Sequence, residues 1–214
     1  MPSILDPSFA PPREPPFPPG TSPFRQKGNA YLGDLRYYDA VVRGGAEAVI
    51  GALPDDPHRA FARQKLRASE WYDAYPGAQL ELAAARVRGV SFERHRRETG
   101  EWHAKEATRG IYGALLKFIS NENVALWGPR ISSLDFEFGR TDTRVVGERE
   151  VVASRRGIPR ELVQWVVYAS VGFCETALRL AGARDARVTV VDLAADGRLF
   201  GRDLARAELR LLWS

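Results

Sequence analysis

The sequence has little cysteine, histidine and lysine, and it has no long apolar run. Its 214 residues include one cysteine, Cys174, so the chain cannot form an internal disulfide or a zinc site built from several cysteines. The glycine-rich phosphate and dinucleotide motifs, G-x-S-x-G and H-E-x-x-H are all absent. No stretch of 18 apolar residues could span a membrane, and the first residues lack the pattern of a signal peptide. We therefore expect a cytoplasmic protein without a membrane span, in which Cys174 is a buried, reduced thiol.

The charge of the chain is nearly balanced. Apolar residues make up 44% and charged residues 27%, which is typical of a folded domain, and the net charge is only +4. The densest basic clusters, at residues 94–97 and 155–156, have glutamates beside them, as solvated helix or loop faces do. Nucleic-acid binders concentrate their positive charge on one face or tail, so this composition excludes a nucleic-acid partner.

Proline is concentrated at the start of the chain. Nine of the fourteen prolines precede residue 24, and proline cannot donate to helix or sheet hydrogen bonds. We expect residues 1–25 to form an extended, Pro-rich tail and residues 26–214 to form a single domain. The tail has two interpretations: it is flexible, or Phe9 and Phe17 dock on a groove of the same or another subunit.

The first half of the domain has helical spacing. Short helices are predicted over residues 37–43, 46–53, 57–69 and 78–88, and longer ones over 91–100 and 101–121. Asp56 and Ser91 are the expected N-caps for two of them.

The second half changes to a period of two. Residues 134–140 alternate apolar and charged side chains, which predicts a strand, a turn at 141–143 and a hairpin over 133–154. A long apolar helix is predicted from Pro159 to Ala181, followed by strands at 187–193 and 204–213 with a turn at 195–198. The predicted fold is therefore α+β: a helical first half, then an antiparallel sheet in β-β-α-β-β order with the long helix packed on it.

Two H-x-x-E patterns occur eight residues apart. His95 precedes Glu98, and His103 precedes Glu106, which predicts pairs of side chains on a helix surface rather than a metal site. We expect no catalytic residues and no metal, and an enzyme is the least favoured class. A histidine that meets a buried carboxylate in a cleft would favour an enzyme, and His103 with Glu106 is the first pair to inspect.

Aromatic residues are frequent, and the long helix carries small residues beside them. Core packing accounts for most of the aromatic side chains. The alternative is a pocket for an apolar or aromatic small molecule, which small residues would leave room for. The candidate lining residues are Trp102, Tyr112, Trp165, Ala169 and Phe173.

Seven short segments occur in an order that resembles a known family. They are Lys27–Gly28, Gly51–Pro54, Ala68–Tyr72, Phe138–Arg140, Tyr168–Leu178, Ala181–Val188 and Leu209–Trp213. Their order resembles a myxobacteria-restricted family of small proteins of unknown function that is related to 4-vinyl-reductase domains. The wider superfamily also includes haem–nitric-oxide-binding domains, TRAPP trafficking subunits and the sensor domains of aromatic-responsive activators.

The resemblance implies two functions and also shows what this chain lacks. Sensor relatives bind a metal through cysteines in the last hairpin, but residues 192–213 have none. Haem relatives carry an axial histidine and a Tyr-x-Ser-x-Arg motif, which is absent here, so no cofactor is expected.

The first hypothesis is a non-enzymatic regulatory or sensory module that binds an apolar or aromatic small molecule between the central helix and the sheet. The alternative is a ligand-free interaction or scaffold subunit with a protein partner, and a homodimer is expected, as in the trafficking relatives.

Overall fold

The chain combines helices with antiparallel sheets in an α+β architecture. The computed structural model describes residues 3–108, 119–131 and 133–214. The helices in these ranges are α1 (Gly28–Val41), α2 (Gly45–Gly51), α3 (Asp56–Arg63), α4 (Ala74–Arg88), α5 (Phe92–Ala107), α6 (Asn121–Ile131) and α7 (Val163–Leu180). The strands are β1 (Arg25–Lys27), β2 (Trp71–Asp73), β3 (Arg140–Gly147), β4 (Glu150–Pro159), β5 (Ala186–Leu199) and β6 (Arg202–Trp213). Short 3-10 turns lie at Pro7–Phe9 and Arg160–Leu162.

The strands form two antiparallel sheets. The small sheet pairs β1 with β2, and the large sheet has the order β3-β4-β6-β5. In the large sheet, Leu209 of β6 lies opposite Ala153 of β4 and Val190 of β5. Ala153 and Leu209 are buried, so this face of the sheet points to the core.

The long helix α7 covers that face of the large sheet. Its side chains Trp165, Val167 and Leu178 are fully buried in one core cluster with Val151, Leu211 and other sheet residues. The apolar spacing predicts this arrangement, because a helix that is apolar on most of its circumference must be covered on several sides. The helix starts at Val163 rather than at Pro159, since residues 160–162 form a 3-10 turn.

The backbones of helices α5 and α7 are in contact where the two helices cross. A Cβ placed on Gly100 would lie 2.1 Å from the carbonyl oxygen of Ala169, and one placed on Gly172 would lie 2.0 Å from that of Arg97. Only glycine permits such an approach. The crossing places the inner face of α5 against the middle of α7.

The helix starts follow local capping chemistry. Ser91 accepts a hydrogen bond from the backbone N–H of Arg94 and caps α5, as predicted. The N-cap of α3 is Asp55 rather than Asp56, because the Asp55 carboxylate accepts from the N–H of His58 at 2.9 Å. Helix α5 runs through Gly100 without interruption, and the predicted helix over 101–121 falls partly on residues outside the described ranges. Helix α1 begins at Gly28 rather than at residue 37.

The first predicted hairpin is wrong in position. The turn lies between Gly147 and Glu150, not at residues 141–143. Gly139 has a φ of +76°, which interrupts an extended strand between the predicted segment and β3. Residues 134–139 therefore contribute only an isolated bridge from Phe136 to Gln26, and Phe138 packs in the core.

The last hairpin also turns later than predicted. Residues 195–198 lie inside β5, where the register shifts between Ala195 and Arg198, and the chain reverses at Phe200 and Gly201. Gly197 has a φ of +89° and lies at an irregularity within β5 rather than in a hairpin turn.

The Pro-rich segment packs against the rest of its own chain. Phe9 is 2% exposed and belongs to the main core cluster, and Phe17 packs edge-on against Tyr75 with ring centroids 5.5 Å apart. Arg160 donates to the Ser8 hydroxyl at 2.9 Å. Phe9 and Phe17 therefore dock on the same chain, as the second interpretation of the tail has it. The division into a tail of residues 1–25 and a domain of residues 26–214 stays a prediction.

The helices in the described ranges include none that is both long and apolar enough to cross a membrane.

Candidate functional site

A cavity of about 410 Å³ lies between α1, α5, α7 and the segment that follows α6. This volume is within the range of small-molecule sites, roughly 300–1,000 Å³. Its lining mixes charged, polar and apolar side chains, and none of them comes from the four-stranded sheet. The lining residues are Gln26, Asn29, Ala30, Asp34, Arg36, Arg96, Gly100, His103, Glu106, Ala107, Ile131, Leu134, Asp135, Phe136, Val166, Ala169, Ser170 and Phe173.

A histidine–carboxylate pair lies on the lining. The Nε2 atom of His103 on α5 is 2.7 Å from Oδ1 of Asp34 on α1. Burial raises the pKa of Asp34, and the charge of Glu81 adds to this effect. Burial alone would lower the pKa of His103, but the hydrogen bond and charge of Asp34 outweigh it and raise the pKa. The pair can hold a proton near neutral pH, although the carboxylate that meets His103 is Asp34 and not Glu106.

A second network of buried polar side chains lies close to this pair. Glu81 on α4 is fully buried, and its carboxylate lies 2.5 Å from Nη1 of Arg96 and 2.7 Å from Nε2 of His95. Burial alone would raise the pKa of Glu81, but Arg96 and His95 hold it below its usual range. Arg96 also donates from Nε to the carbonyl oxygen of Trp165, so the network joins α4 and α5 to α7.

A buried arginine lies directly behind another part of the lining. The Arg155 side chain, on β4, is held by Ser170 and Phe136, which both line the cavity. Nη1 of Arg155 donates to Oγ of Ser170 at 3.4 Å, and the guanidinium carbon is 4.9 Å from the centre of the Phe136 ring. Its Nε and Nη2 atoms have no hydrogen-bond partner in the described structure.

The structure brings together two of the five predicted lining residues. Ala169 and Phe173 line the cavity. Trp165 instead lies fully buried in the core, edge-on to Phe136, and Trp102 packs against Tyr37 on the far side of α5. Tyr112 lies outside the described residues.

The prediction of surface pairs for the two H-x-x-E motifs is wrong for both histidines. His95 is fully buried on Glu81, and His103 binds Asp34. A signal for the inner face was present in the spacing of α5, where Arg96, Gly100, His103 and Ala107 recur at helical intervals and all line the cavity. The partner on α1 could not be read from spacing, because Asp34 and His103 are 69 positions apart.

Cys174 is buried, as predicted. Burial raises the pKa of its thiol to about 12, which keeps it protonated and unreactive at neutral pH.

Each of the three histidines contacts a protein group through at least one ring nitrogen. His95 contacts Glu81 through Nε2 and Arg88 through Nδ1, and His58 contacts Asp55 through Nδ1 on a helix that does not reach the cavity. Within residues 3–108, 119–131 and 133–214, no three histidine, cysteine or acidic side chains form a group that could hold a metal ion.

Comparisons with known proteins identify the fold. No family model matches the chain, and no curated protein matches it at a significant level. Solved structures of H-NOX domains do match. A Cs H-NOX variant with an unnatural amino acid has a TM-score of 0.64 at 12% identity and covers 88% of this chain and 96% of its own. An unliganded Fe(II) H-NOX variant from K. algicida gives 0.62 at 12% identity over 88% and 96%.

A third neighbour is an oxygen-binding H-NOX domain related to soluble guanylate cyclases, with a TM-score of 0.57 at 13% identity over 87% of this chain and 92% of its own. At these identities the likeness concerns the fold alone. The chain therefore has the fold of H-NOX domains.

Proposed function

We propose that this chain is a non-enzymatic regulatory or sensory module that binds a small molecule with an apolar part in the cavity between α1, α5 and α7. The observation that carries this proposal is the cavity itself, which has the size of a ligand site and combines an apolar wall with a few fixed polar groups. Ala169, Phe173 and Val166 of α7 supply part of the apolar wall, and the paired Asp34 and His103 supply polar groups. The proposed site is therefore among the helices, whereas the sequence led us to expect it between the central helix and the sheet.

The fold supports a sensory role by analogy. One neighbour with this fold is an oxygen-binding H-NOX domain. A fold can host unrelated functions, so the analogy supports the class of role and not the ligand.

Haem, the group that this fold family suggests, does not fit the residues present. Iron ligation by Nε2 of His103 would require this atom to leave Asp34, which is 5% exposed in its side chain and would lose its partner. His95 is fully buried with both ring nitrogens engaged. Charged side chains from Asp34, Arg96 and Asp135 occupy the lining where a porphyrin would need an apolar surface. We therefore propose a ligand bound by side chains alone.

A cavity-filling variant tests this function. N-phenyl-1-naphthylamine, a neutral aromatic probe, should bind the wild-type protein with one site per chain and a rise in fluorescence. Ala169→Trp places an indole in the cavity and should weaken binding at least tenfold. Leu180→Trp is the matched control, because it adds the same side chain at the exposed end of the same helix.

Ligand binding should also raise stability. A ligand present at 100 times its Kd adds about 2.7 kcal/mol to the free energy of unfolding, which a thermal-shift assay detects. An absence of binding over a panel of neutral aromatic compounds, fatty acids and alcohols would overturn the proposal, as would equal binding by both tryptophan variants.

The alternative, an interaction subunit that forms a homodimer, is supported by an exposed apolar surface. Trp127 and Ile131 on α6 are 56% and 49% exposed, and Leu134 is 68% exposed. Exposed aromatic residues of this kind are enriched at interfaces. Light scattering that shows a stable dimer, and a monomer after Trp127→Ser, would favour this function. A wild-type monomer at all concentrations would exclude the homodimer.

A further inference from the structure

Arg155 is a buried cation without a counter-ion. Its residue is 3% exposed, and in the described structure no carboxylate lies within ion-pair distance of it. Of its nitrogens, only Nη1 has a hydrogen bond, the long one to Ser170. Burial lowers the pKa of the guanidinium to about 10, so it stays charged at neutral pH. Buried charges in proteins are normally paired, because an unpaired one is costly to desolvate.

The two unpartnered nitrogens share one edge of the guanidinium. Nε–H and one N–H of Nη2 point in the same direction, which is the geometry that binds both oxygens of a carboxylate at once. The Phe136 ring covers the face of the group and leaves this edge free of protein partners. The arginine is therefore arranged to recognise a planar anion.

The position of Arg155 places its guanidinium next to the cavity. Its two contacts, Phe136 and Ser170, both line the cavity, so the guanidinium lies one side chain behind the wall. It is held there by a ring contact and one long hydrogen bond. In the described structure it forms no ion pair, so no salt bridge competes with an anion for it.

We propose that the cavity takes a carboxylic acid with an apolar body, whose carboxylate pairs with the guanidinium of Arg155. This inference rests on the proposed function, and it names the class of ligand for the same site. Val166, Ala169 and Phe173 receive the apolar body. The charge of Asp34 is balanced by His103, so it does not oppose the anion as a free carboxylate would.

Asp135 is the group of this chain that could compete for Arg155. It lines the cavity, and its charge affects the pKa of Arg155, but the two side chains form no ion pair. Burial raises the pKa of Asp135 more than the nearby charges of His103, Lys27 and Arg155 lower it. Asp135→Asn removes this competitor and should strengthen binding of an acid.

The test compares matched acid and amide probes by calorimetry on the full chain at pH 7. 3-Phenylpropionate and 3-phenylpropanamide have nearly the same shape and differ in charge. The wild-type protein should bind the acid at least tenfold more tightly, and Arg155→Met should abolish this preference. Arg144→Met is the matched control, since Arg144 is exposed on the neighbouring strand, and it should keep the preference.

The outcomes separate the two proposals. Equal binding of acid and amide by the wild-type protein, or a preference that survives in Arg155→Met, overturns the carboxylate inference and leaves the ligand-binding function standing. No binding of either probe, together with no binding of N-phenyl-1-naphthylamine, overturns both. If Arg155→Met does not fold, equal binding of acid and amide by the wild-type protein still overturns the inference, and so does an Asp135→Asn variant that binds the acid no more tightly.

Discussion

The imidazole of His103 and the carboxylate of Asp34 join α5 to α1 at the cavity, with Nε2 and Oδ1 2.7 Å apart. The pair is possible because Gly33 has no side chain. A Cβ at that position would lie 2.5 Å from the imidazole carbon Cε1. This ion pair on the cavity wall therefore depends on the glycine beside it.

The stability of the protein should fall as the pH rises above neutrality. The pKa of His103 is raised above its ordinary value of 6.5, so its contribution is complete below pH 6.5 and is lost as the pH rises through the folded-state pKa. Asp34, whose pKa is also raised, acts with the same sign at lower pH. Urea unfolding between pH 6 and 9 measures this, with His103→Gln as the variant whose slope should be shallower. A slope unchanged in the variant would contradict the assignment.

Removal of the buried carboxylate of Glu81 should be strongly destabilising. Glu81→Ala leaves Arg96 and His95 charged or polar in the interior without their partner, at a cost of about 3–5 kcal/mol. Chemical denaturation measures the loss. Glu98→Ala, which removes a partly exposed carboxylate from the same region, should cost about 1 kcal/mol or less. Equal effects of the two variants would be inconsistent with a critical buried network.

The crossing of α5 and α7 should not accept a methyl group. Gly100→Ala and Gly172→Ala each place a Cβ on a backbone carbonyl oxygen, so the helices must separate, at a cost of about 1–3 kcal/mol or more. Gly51→Ala is the control, because no atom lies within 4 Å of its added Cβ and alanine favours a helix by about 0.5–1 kcal/mol. Thermal unfolding of the three variants should show opposite signs, and a neutral Gly172→Ala would disprove the close crossing.

The Pro-rich segment should contribute to stability through Phe9. Phe9→Ala removes a buried ring and should cost about 3–5 kcal/mol, whereas Leu5→Ala, at a side chain that is 66% exposed, should change the free energy of unfolding by less than about 0.5 kcal/mol. Unfolding curves compare them directly. If both variants resembled the wild type, the packing of Phe9 in the core would be contradicted.

Local patterns predicted part of this fold. The apolar spacing of residues 159–181 predicted the buried helix, which the structure has at Val163–Leu180. Ser91 predicted the start of α5. Both predictions depend on neighbours a few positions away. The predicted positions of the two hairpin turns were wrong. Gly139 and Gly197 adopt positive φ angles, and the sequence around them is equally compatible with a strand and with a turn. Of the residues expected to line a pocket, Ala169 and Phe173 line the cavity, whereas the indole of Trp165 is buried in the core.

The sequence by itself determined the α+β class, the apolar central helix and the buried thiol of Cys174, because hydrophobic periodicity and composition are local properties. Only the tertiary structure decided that His103 meets Asp34, that Glu81 meets Arg96, and that Arg155 is buried behind the cavity without a counter-ion. These relationships join residues on different helices and strands. Their energy comes from burial and from distances that exist only after the chain has packed.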